Sequence, residues 1–238
     1  MKTTFTFMAA ASAMVLAVAG CGSSADSAPN QKAIDALSNL DSTTNAPGDS
    51  DAEPGENKST ATQEVATFGN GCYWCTEAVF QELAGVHEVI SGFSGGERED
   101  VTYDEVCDGN TGHAEVVRIT FDPSVISFGE LLEAFFLTHD PTTLDKQGVD
   151  EGTQYRSAIF YHSQKQKELA EKAIEELTKA GAFADPIVTE VTAWKNFVVA
   201  PKHQDFFDKN PNNRYCVRYI PDKIAKIRKV FKGKLKSH

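Results

Sequence analysis

Val65-Ala66-Thr67-Phe68-Gly69-Asn70-Gly71-Cys72-Tyr73-Trp74-Cys75-Thr76-Glu77-Ala78-Val79-Phe80-Gln81-Glu82-Leu83-Ala84-Gly85 is the stretch on which the fold turns. Val65 to Gly69 is a short apolar run of the length of a buried strand. From Tyr73 the period becomes helical, with Val79, Phe80 and Leu83 on one face and Gly85 as terminator. A Cys-x-x-Cys pair therefore falls where a strand hands over to a helix. Unpaired N–H groups and the positive dipole end at a helix start favour a thiolate at Cys72. Cys75 lies one helical turn later, so the two sulfurs can meet.

Working outward, Val86 to Phe93 reads as a strand, and Ala114 to Phe121 alternates Val116, Arg118 and Thr120 against Val117, Ile119 and Phe121. Ser127 with Glu130 forms a capping box before a helix that ends near His139-Asp140-Pro141. Thr142 to Thr153 reads as loop and Gln154 to Tyr161 as a strand. Ser163 with Gln166 opens a helix that runs to about Lys179 and stops at Gly181. Ile187 to Trp194 is a further strand and Ile220 to Phe231 a terminal helix. Strands and helices interleave, which predicts an α+β fold, a two-layer sandwich of helices on a mixed β-sheet.

The chain has 238 residues, 41% hydrophobic and 24% charged, a globular balance. Its net charge of −11 disfavours a general nucleic-acid binder. The basic residues collect at the end: from Asn212 to His238 nine Lys or Arg face one acid, Asp222. This reads as a solvated helix face and tail, or more sharply as a contact for anionic lipid headgroups.

The N-terminus reads as an address. Lys2 precedes a small apolar run, Phe5 to Val18, that ends in Val18-Ala19-Gly20-Cys21. This resembles the bacterial lipoprotein signal, which implies removal of residues 1–20, lipidation of Cys21 and a membrane anchor on the extracytoplasmic side of the cell envelope. Residues 21–64, rich in Ser, Thr, Asn, Asp, Ala and Pro, read as a flexible linker. Ala33 to Leu40 has weak helical character but no partner face. The folded domain is then 65–238.

Without Cys21, four cysteines remain: Cys72, Cys75, Cys107 and Cys216. Three chemistries suit the pair at the helix start. A zinc site would take Cys72, Cys75 and two of Cys107, His113 and Cys216, but no second closely spaced pair exists. A thioredoxin-like disulfide exchanger using Cys72 and Cys75 would also explain Pro186 just before a strand. The third is a reductase cysteine that attacks an oxidised substrate and is resolved as a disulfide.

Longer motifs decide among them. Gly71-Cys72-Tyr73-Trp74-Cys75-Thr76-Glu77, Gly92-Phe93-Ser94-Gly95-Gly96, Thr102-Tyr103-Asp104-Glu105-Val106-Cys107, Thr111-Gly112-His113-Ala114-Glu115-Val116-Val117, His139-Asp140-Pro141-Thr142-Thr143 and Gly152-Thr153-Gln154-Tyr155-Arg156-Ser157 occur in order. Together they resemble the A class of peptide methionine sulfoxide reductases, over roughly Val65 to Phe231. The resemblance implies that Cys72 is the nucleophile and Glu115 the acid. Tyr103 and Tyr155 hydrogen-bond the sulfoxide oxygen. Tyr73 and Trp74 receive the substrate methyl group, and Asp150 organises the pocket through water. Glu115 must then be protonated near neutral pH, which needs burial.

The same resemblance makes Cys216 the favoured resolving cysteine, with Cys75 as alternative or relay; Cys107 also matches a family cysteine position but reads as structural, and His113 as structural or part of the loop. It implies the S-epimer as substrate, free or in exported proteins, a thioredoxin-like reductant, no cofactor, no metal and a monomer. Two departures bear on substrate preference. Tyr73 stands where the family usually has Phe, and the rim Ala200-Pro201-Lys202-His203-Gln204 is one residue short and lacks a Glu and a Tyr. The loop at Glu97 to Val101 also lacks the usual prolines and aromatic residue.

Overall fold

The computed structural model describes residues 30–40 and 63–237. The signal at 1–20, Cys21 and most of the linker lie outside the described residues. Strand β1 (Glu64–Asn70) sits inside a six-stranded sheet, antiparallel to both β3 (Ala114–Phe121) and β6 (Ser157–Tyr161). β2 (Val86–Ser94) pairs with β3, and the two-residue β8 (Val198–Val199) closes that edge. β7 (Glu190–Ala193) runs parallel to β6 at the other edge, so the order is β7-β6-β1-β3-β2-β8 and the sheet is mixed.

Helices α2 (Tyr73–Gln81), α4 (Phe128–Thr138), α5 (Gln164–Lys179) and α7 (Arg214–Val230) form the second layer, with a single turn, α6 (Phe206–Lys209), leading into α7. The strand period of two decides what meets them. On β3, Val117, Ile119 and Phe121 enter the main core, whereas Ala114 and Val116 join a small cluster with Ala158, Phe160 and Phe197. Phe68 of β1 lies 5.5, 5.8 and 5.1 Å from the rings of Phe80, Phe128 and Phe135, tying α2 and α4 to the sheet. The same parity puts Glu115 on the helical side.

Capping agrees with the sequence in part. Ser127 and Glu130 make the reciprocal box at α4. At α5, Ser163 accepts from Gln166 N, but Gln166 Oε1 takes the His162 N–H and its Nε2 donates to Val65 O, so the glutamine joins helix to sheet. A short helix, α3 (Tyr103–Cys107), opens with a Thr102–Glu105 box where the pattern predicts none.

Four expectations need correction. Thr153 to Tyr155 form a 3-10 turn, so β6 starts at Ser157 rather than Gln154, and β7 starts at Glu190 rather than Ile187. The loop at 142–153 contains a small hairpin, β4 (Lys146–Gln147) with β5 (Asp150–Glu151). The terminal helix begins at Arg214, six residues before Ile220, with Pro221 inside it. Proline in a helix interior costs roughly 3 kcal/mol. A buried stripe of Cys216, Ile220, Ile224 and Ile227 carries α7 through it, and Asn213 caps the start by accepting from Tyr215 N and Cys216 N.

The fourth concerns the linker. Helix α1 (Gln31–Leu37) has a partner after all: Ala33, Leu37 and Leu40 are buried against α4 and α5. Asn30 Nδ2 donates to Ala182 O at 2.7 Å, and Lys172 Nζ to Leu40 O at 3.4 Å. The composition hides this because the contact is small: Ala33, Leu37 and Leu40 are buried, with Ile34 and Ala36 partly so beside them. The basic tail is partly spoken for as well: Arg228 forks onto Glu82, Lys234 pairs with Glu130, and Lys223 donates to Thr138 O.

Leu37→Ala should loosen α1 by about 2–3 kcal/mol. Hydrogen exchange across residues 31–37 should then speed by about 30- to 100-fold, with β1 and β3 amides unaffected. Unchanged exchange would show that Leu37 does not hold the helix down.

Candidate active site

Cys72 is the N-cap of α2, placed by the turn that leaves β1. Gly71 has φ +93°, a region an L side chain rarely adopts, and a Cβ there would sit 2.6 Å from Gln147 Cβ. The Cys72 carbonyl accepts from Cys75 N at 3.1 Å and Thr76 N at 3.4 Å. The thiol itself is buried, 8% exposed. Burial, with the neighbouring Cys75 thiol and the Glu115 carboxyl, pushes it well above the usual thiol range, and the Trp74 N–H offsets this only in part. The thiolate expected from the helix start alone is thus overridden by desolvation in the substrate-free state.

Cys75 is shifted the other way, because the Cys72 thiol hydrogen-bonds to it and Lys223 and Tyr215 lie near, against the cost of burial. Cys216 belongs to the same buried cluster, with Cys72, Cys75, Ala78, Ile220 and Ile224, and burial pushes its thiol up to about 11. Cys72, Cys75, Cys107 and Cys216 are all free thiols. Cys107, at the end of α3, hydrogen-bonds Tyr103 and lies near Glu115, and His113 is held between Arg98 O at 2.6 Å and Gly96 N at 3.3 Å. Among the described residues no three His, Cys, Asp or Glu side chains are grouped to hold a metal ion. Pro186 is exposed on the loop before β7.

Glu115 is 2% exposed and accepts from Tyr73 N at 3.1 Å. Burial pushes its carboxyl up to about 8; the Tyr73 N–H works against this, and Asp150 and Cys75 with it. A carboxylic acid that keeps its proton at neutral pH is what oxygen protonation needs. Tyr103 and Tyr155 face Glu115 closely enough to be raised by it, after burial, and both stay protonated donors. Asp150, on β5, accepts from Tyr215 Oη and is raised chiefly by burial. Tyr215 Oη lies 3.9 Å from Cys75 Sγ, so it links Asp150 to the thiols.

The aromatic residues build a wall. Trp74 stacks on Phe206 with centroids 3.8 Å apart and planes 5° from parallel. Tyr73 lies 6.5 Å from Trp74 and 5.8 Å from Phe93. Glu77 Oε2 accepts from Phe206 N at 3.1 Å, and Gln204 bonds Ser91 on β2 through both amide atoms, so the rim is fastened to α2 and the sheet.

The structure therefore brings Cys72, Cys75, Cys216, Glu115, Tyr103, Tyr155, Asp150, Tyr73 and Trp74 to one place. Sequence reasoning missed Tyr215, His203, Phe206 and Glu77 as members of the site. Tyr215 flanks a cysteine and Glu77 comes soon after the Cys-x-x-Cys pair, but neither position says which neighbour it will meet.

Comparison with known proteins agrees with this constellation. The family of peptide methionine sulfoxide reductases matches residues 64–235. The peptide methionine sulfoxide reductase MsrA of Natronomonas pharaonis is 51% identical over 174 residues, 73% of this chain and 98% of that one. The MsrA of Saccharolobus solfataricus is 50% identical over 176 residues, 74% of this chain and 98% of that one. Among solved structures, the reduced form of Mxr1 from Saccharomyces cerevisiae superposes with a TM-score of 0.59 at 35% identity, covering 70% of this chain and 93% of that one. Methionine sulfoxide reductase A of Corynebacterium diphtheriae gives 0.55 at 36% identity, covering 63% and 76%. With its motifs, its sheet and its buried thiol and carboxyl groups in agreement, the chain belongs to the peptide methionine sulfoxide reductase family.

Proposed function

We propose that this methionine sulfoxide reductase uses Cys72 as nucleophile and Glu115 as proton donor, with Tyr103 and Tyr155 holding the sulfoxide oxygen. The observation that carries the assignment is the Glu115 carboxyl, 2% exposed and held by the Tyr73 N–H next to the Cys72 N-cap. The sulfoxide enters with its oxygen toward Glu115 and the two phenols and its methyl group toward Tyr73 and Trp74. Cys72 sulfur attacks the sulfoxide sulfur, and its thiol proton is the one to be moved. Glu115 protonates the oxygen as the bond to sulfur weakens. The hydroxyl then passes to the Cys72 sulfur as the bond between the two sulfurs breaks with its electron pair on methionine, and the Cys72 thiol proton restores the Glu115 carboxyl, so methionine leaves and Cys72 becomes a sulfenic acid. Asp150 and Tyr215 fix the polar edge of the pocket next to the thiols.

Cys75 then condenses with the sulfenic acid, releasing water and forming a disulfide. It is the thiol in contact with Cys72 and the one with the lowered pKa, so it is the readier attacker. Cys216, in the same cluster, takes over the disulfide by exchange. A thioredoxin-like dithiol is proposed as the final reductant, and the S-epimer as the substrate, as the family resemblance implies. The protein acts as a monomer on this reading.

The lipoprotein signal supports a setting for that repair. Cys21 is proposed to be acylated and to hold the enzyme at the outer side of a bacterial membrane, where exported proteins are oxidised. Mass spectrometry of the mature N-terminus should find a diacylglycerol on Cys21; an unmodified Cys21 would remove the anchor and leave the chemistry untouched.

Glu115→Gln should lower the turnover rate by about 10²- to 10⁴-fold, the usual worth of a general acid. In the unaltered enzyme the rate should fall as pH rises through about 8, because Glu115 donates only below its raised pKa. A rate in Glu115→Gln equal to the unaltered enzyme's would exclude the acid role. A single turnover with methionine S-sulfoxide and no reductant, then disulfide mapping, should show Cys72–Cys75 first and a Cys216 disulfide later. Disulfide between Cys72 and Cys216 from the earliest time would leave Cys75 without the first step.

A further inference from the structure

His203 lies on a 3-10 turn (Pro201–His203) after β8 and takes no part in the chemistry proposed for the thiols and Glu115. Its ring touches four aromatic residues of the site. The centroids are 5.6 Å from Tyr73, edge-on, 5.6 Å from Trp74, 4.5 Å from Tyr103 and 5.7 Å from Phe206. Its Nδ1 is 2.5 Å from Tyr73 Oη and 3.4 Å from Trp74 Nε1.

These two distances determine the protonation of the ring. An indole N–H can only donate. Nδ1 must therefore be an acceptor, and Tyr73 Oη must be the donor in the short contact. A proton on Nδ1 would set N–H against the Trp74 N–H and take away the acceptor for both. The hydroxyl that distinguishes Tyr73 from the expected Phe is the group that reaches Nδ1, and the shortened rim is the segment that carries the imidazole.

We propose that His203 is a positioning residue of this reductase: its unprotonated Nδ1 accepts a short hydrogen bond from Tyr73 Oη, shares the same lone pair with the longer Trp74 Nε1 contact, and so sets the aromatic wall that receives the substrate methyl group. The proposal rests on the reading of Tyr73 and Trp74 as that wall. It makes the wall sensitive to acid. Burial and the neighbouring Lys202 hold the imidazole below its ordinary 6.5, so the ring is neutral at physiological pH and gains a proton only in acid. The groups that face it are Lys202 on its own turn, the Tyr73 phenol on α2 and the Tyr103 phenol on α3. Beyond these lie Glu115, bonded to Tyr73 N, and Asp205, bonded to Lys209 and Gln81. A bound methyl group keeps the same wall contacts through the reaction, so loosening the wall should appear in KM rather than kcat.

The test compares the unaltered chain with His203→Leu and His203→Asn at about pH 7.5 and about pH 5.5. The substrate is N-acetyl-methionine S-sulfoxide amide and the reductant dithiothreitol. His203→Leu should raise KM about fivefold or more near neutral pH with kcat little changed, as the loss of one net hydrogen bond implies. His203→Asn carries Oδ1 near the place of Nδ1 and should restore most of the affinity. KM should rise on acidification in the unaltered chain and not in His203→Asn.

A second readout adds Trp194→Phe to each form. Trp74 and Trp194 are the two tryptophans, so emission then comes from Trp74 alone. It should titrate with a midpoint below 6.5 in the parent and stay flat in His203→Asn. A wild-type KM in His203→Leu, the same pH profile of KM with His and Asn at 203, or flat Trp74 emission in the parent would overturn the proposal. If no form reduces the sulfoxide, the reductase assignment of Cys72 fails instead, and the Trp74 titration still decides whether His203 governs the wall.

Discussion

The Tyr73 N–H to Glu115 Oε2 hydrogen bond joins the start of α2 to the start of β3, and the placing of the site's buried groups hangs on it. An N–H in the first turn of a helix has no partner within that helix. A carboxyl group buried on the helical face of a sheet has no water. Each meets the other's need, and the contact sets Glu115 beside the Cys72 N-cap. The pairing is uneven. One N–H contact does not compensate the loss of solvation, so Glu115 keeps its proton to about 8. The same burial that makes it an acid makes Cys72 a reluctant thiolate. The site is dry, and that favours the protonated form of both groups.

The thiols are placed as a group. Cys75 sits one turn below Cys72, Lys223 biases charge toward it, and Tyr215 ties it to Asp150. Cys216 arrives from the far end of the chain on the first turn of α7, beneath the same cover of Ile220 and Ile224. Tyr215 and Cys216 reach the site because α7 begins at Arg214 rather than at Ile220. The apolar stripe that carries the helix through a proline is therefore what delivers the third cysteine.

The rim is a second layer of control. Glu77, Gln204 and His203 bind a loop with little regular structure to α2 and β2, and through Phe206 and His203 they fix Trp74 and Tyr73. Polar anchors buried in this way hold a loop more tightly than its few apolar contacts would. The cost is carried locally: Glu77 is raised by burial although two backbone N–H groups favour its charge.

Much of the fold was legible in the chain. Alternation along β3 already separated Val117, Ile119 and Phe121 from Val116 and Arg118, and that parity puts Glu115 on the helical side. The strand, Cys-x-x-Cys pair and helix around Cys72 could be read from local periods, since both signals act within a few residues. The family motifs supplied the roles of Tyr103, Tyr155 and Asp150, which no local pattern would have singled out. Tertiary structure alone decided the rest. It set the start of α7, because a buried stripe outweighed a proline. It docked α1 on α4 and α5, because a few small or apolar side chains found a groove that composition cannot see. It reversed the ionisation of Cys72, because desolvation depends on everything around a group in space, whereas a helix dipole depends only on the adjoining turns of the same helix. Tyr215, His203 and Glu77 became part of the site for the same reason: their partners lie 65 to 140 residues away along the chain and a few ångströms away in the fold.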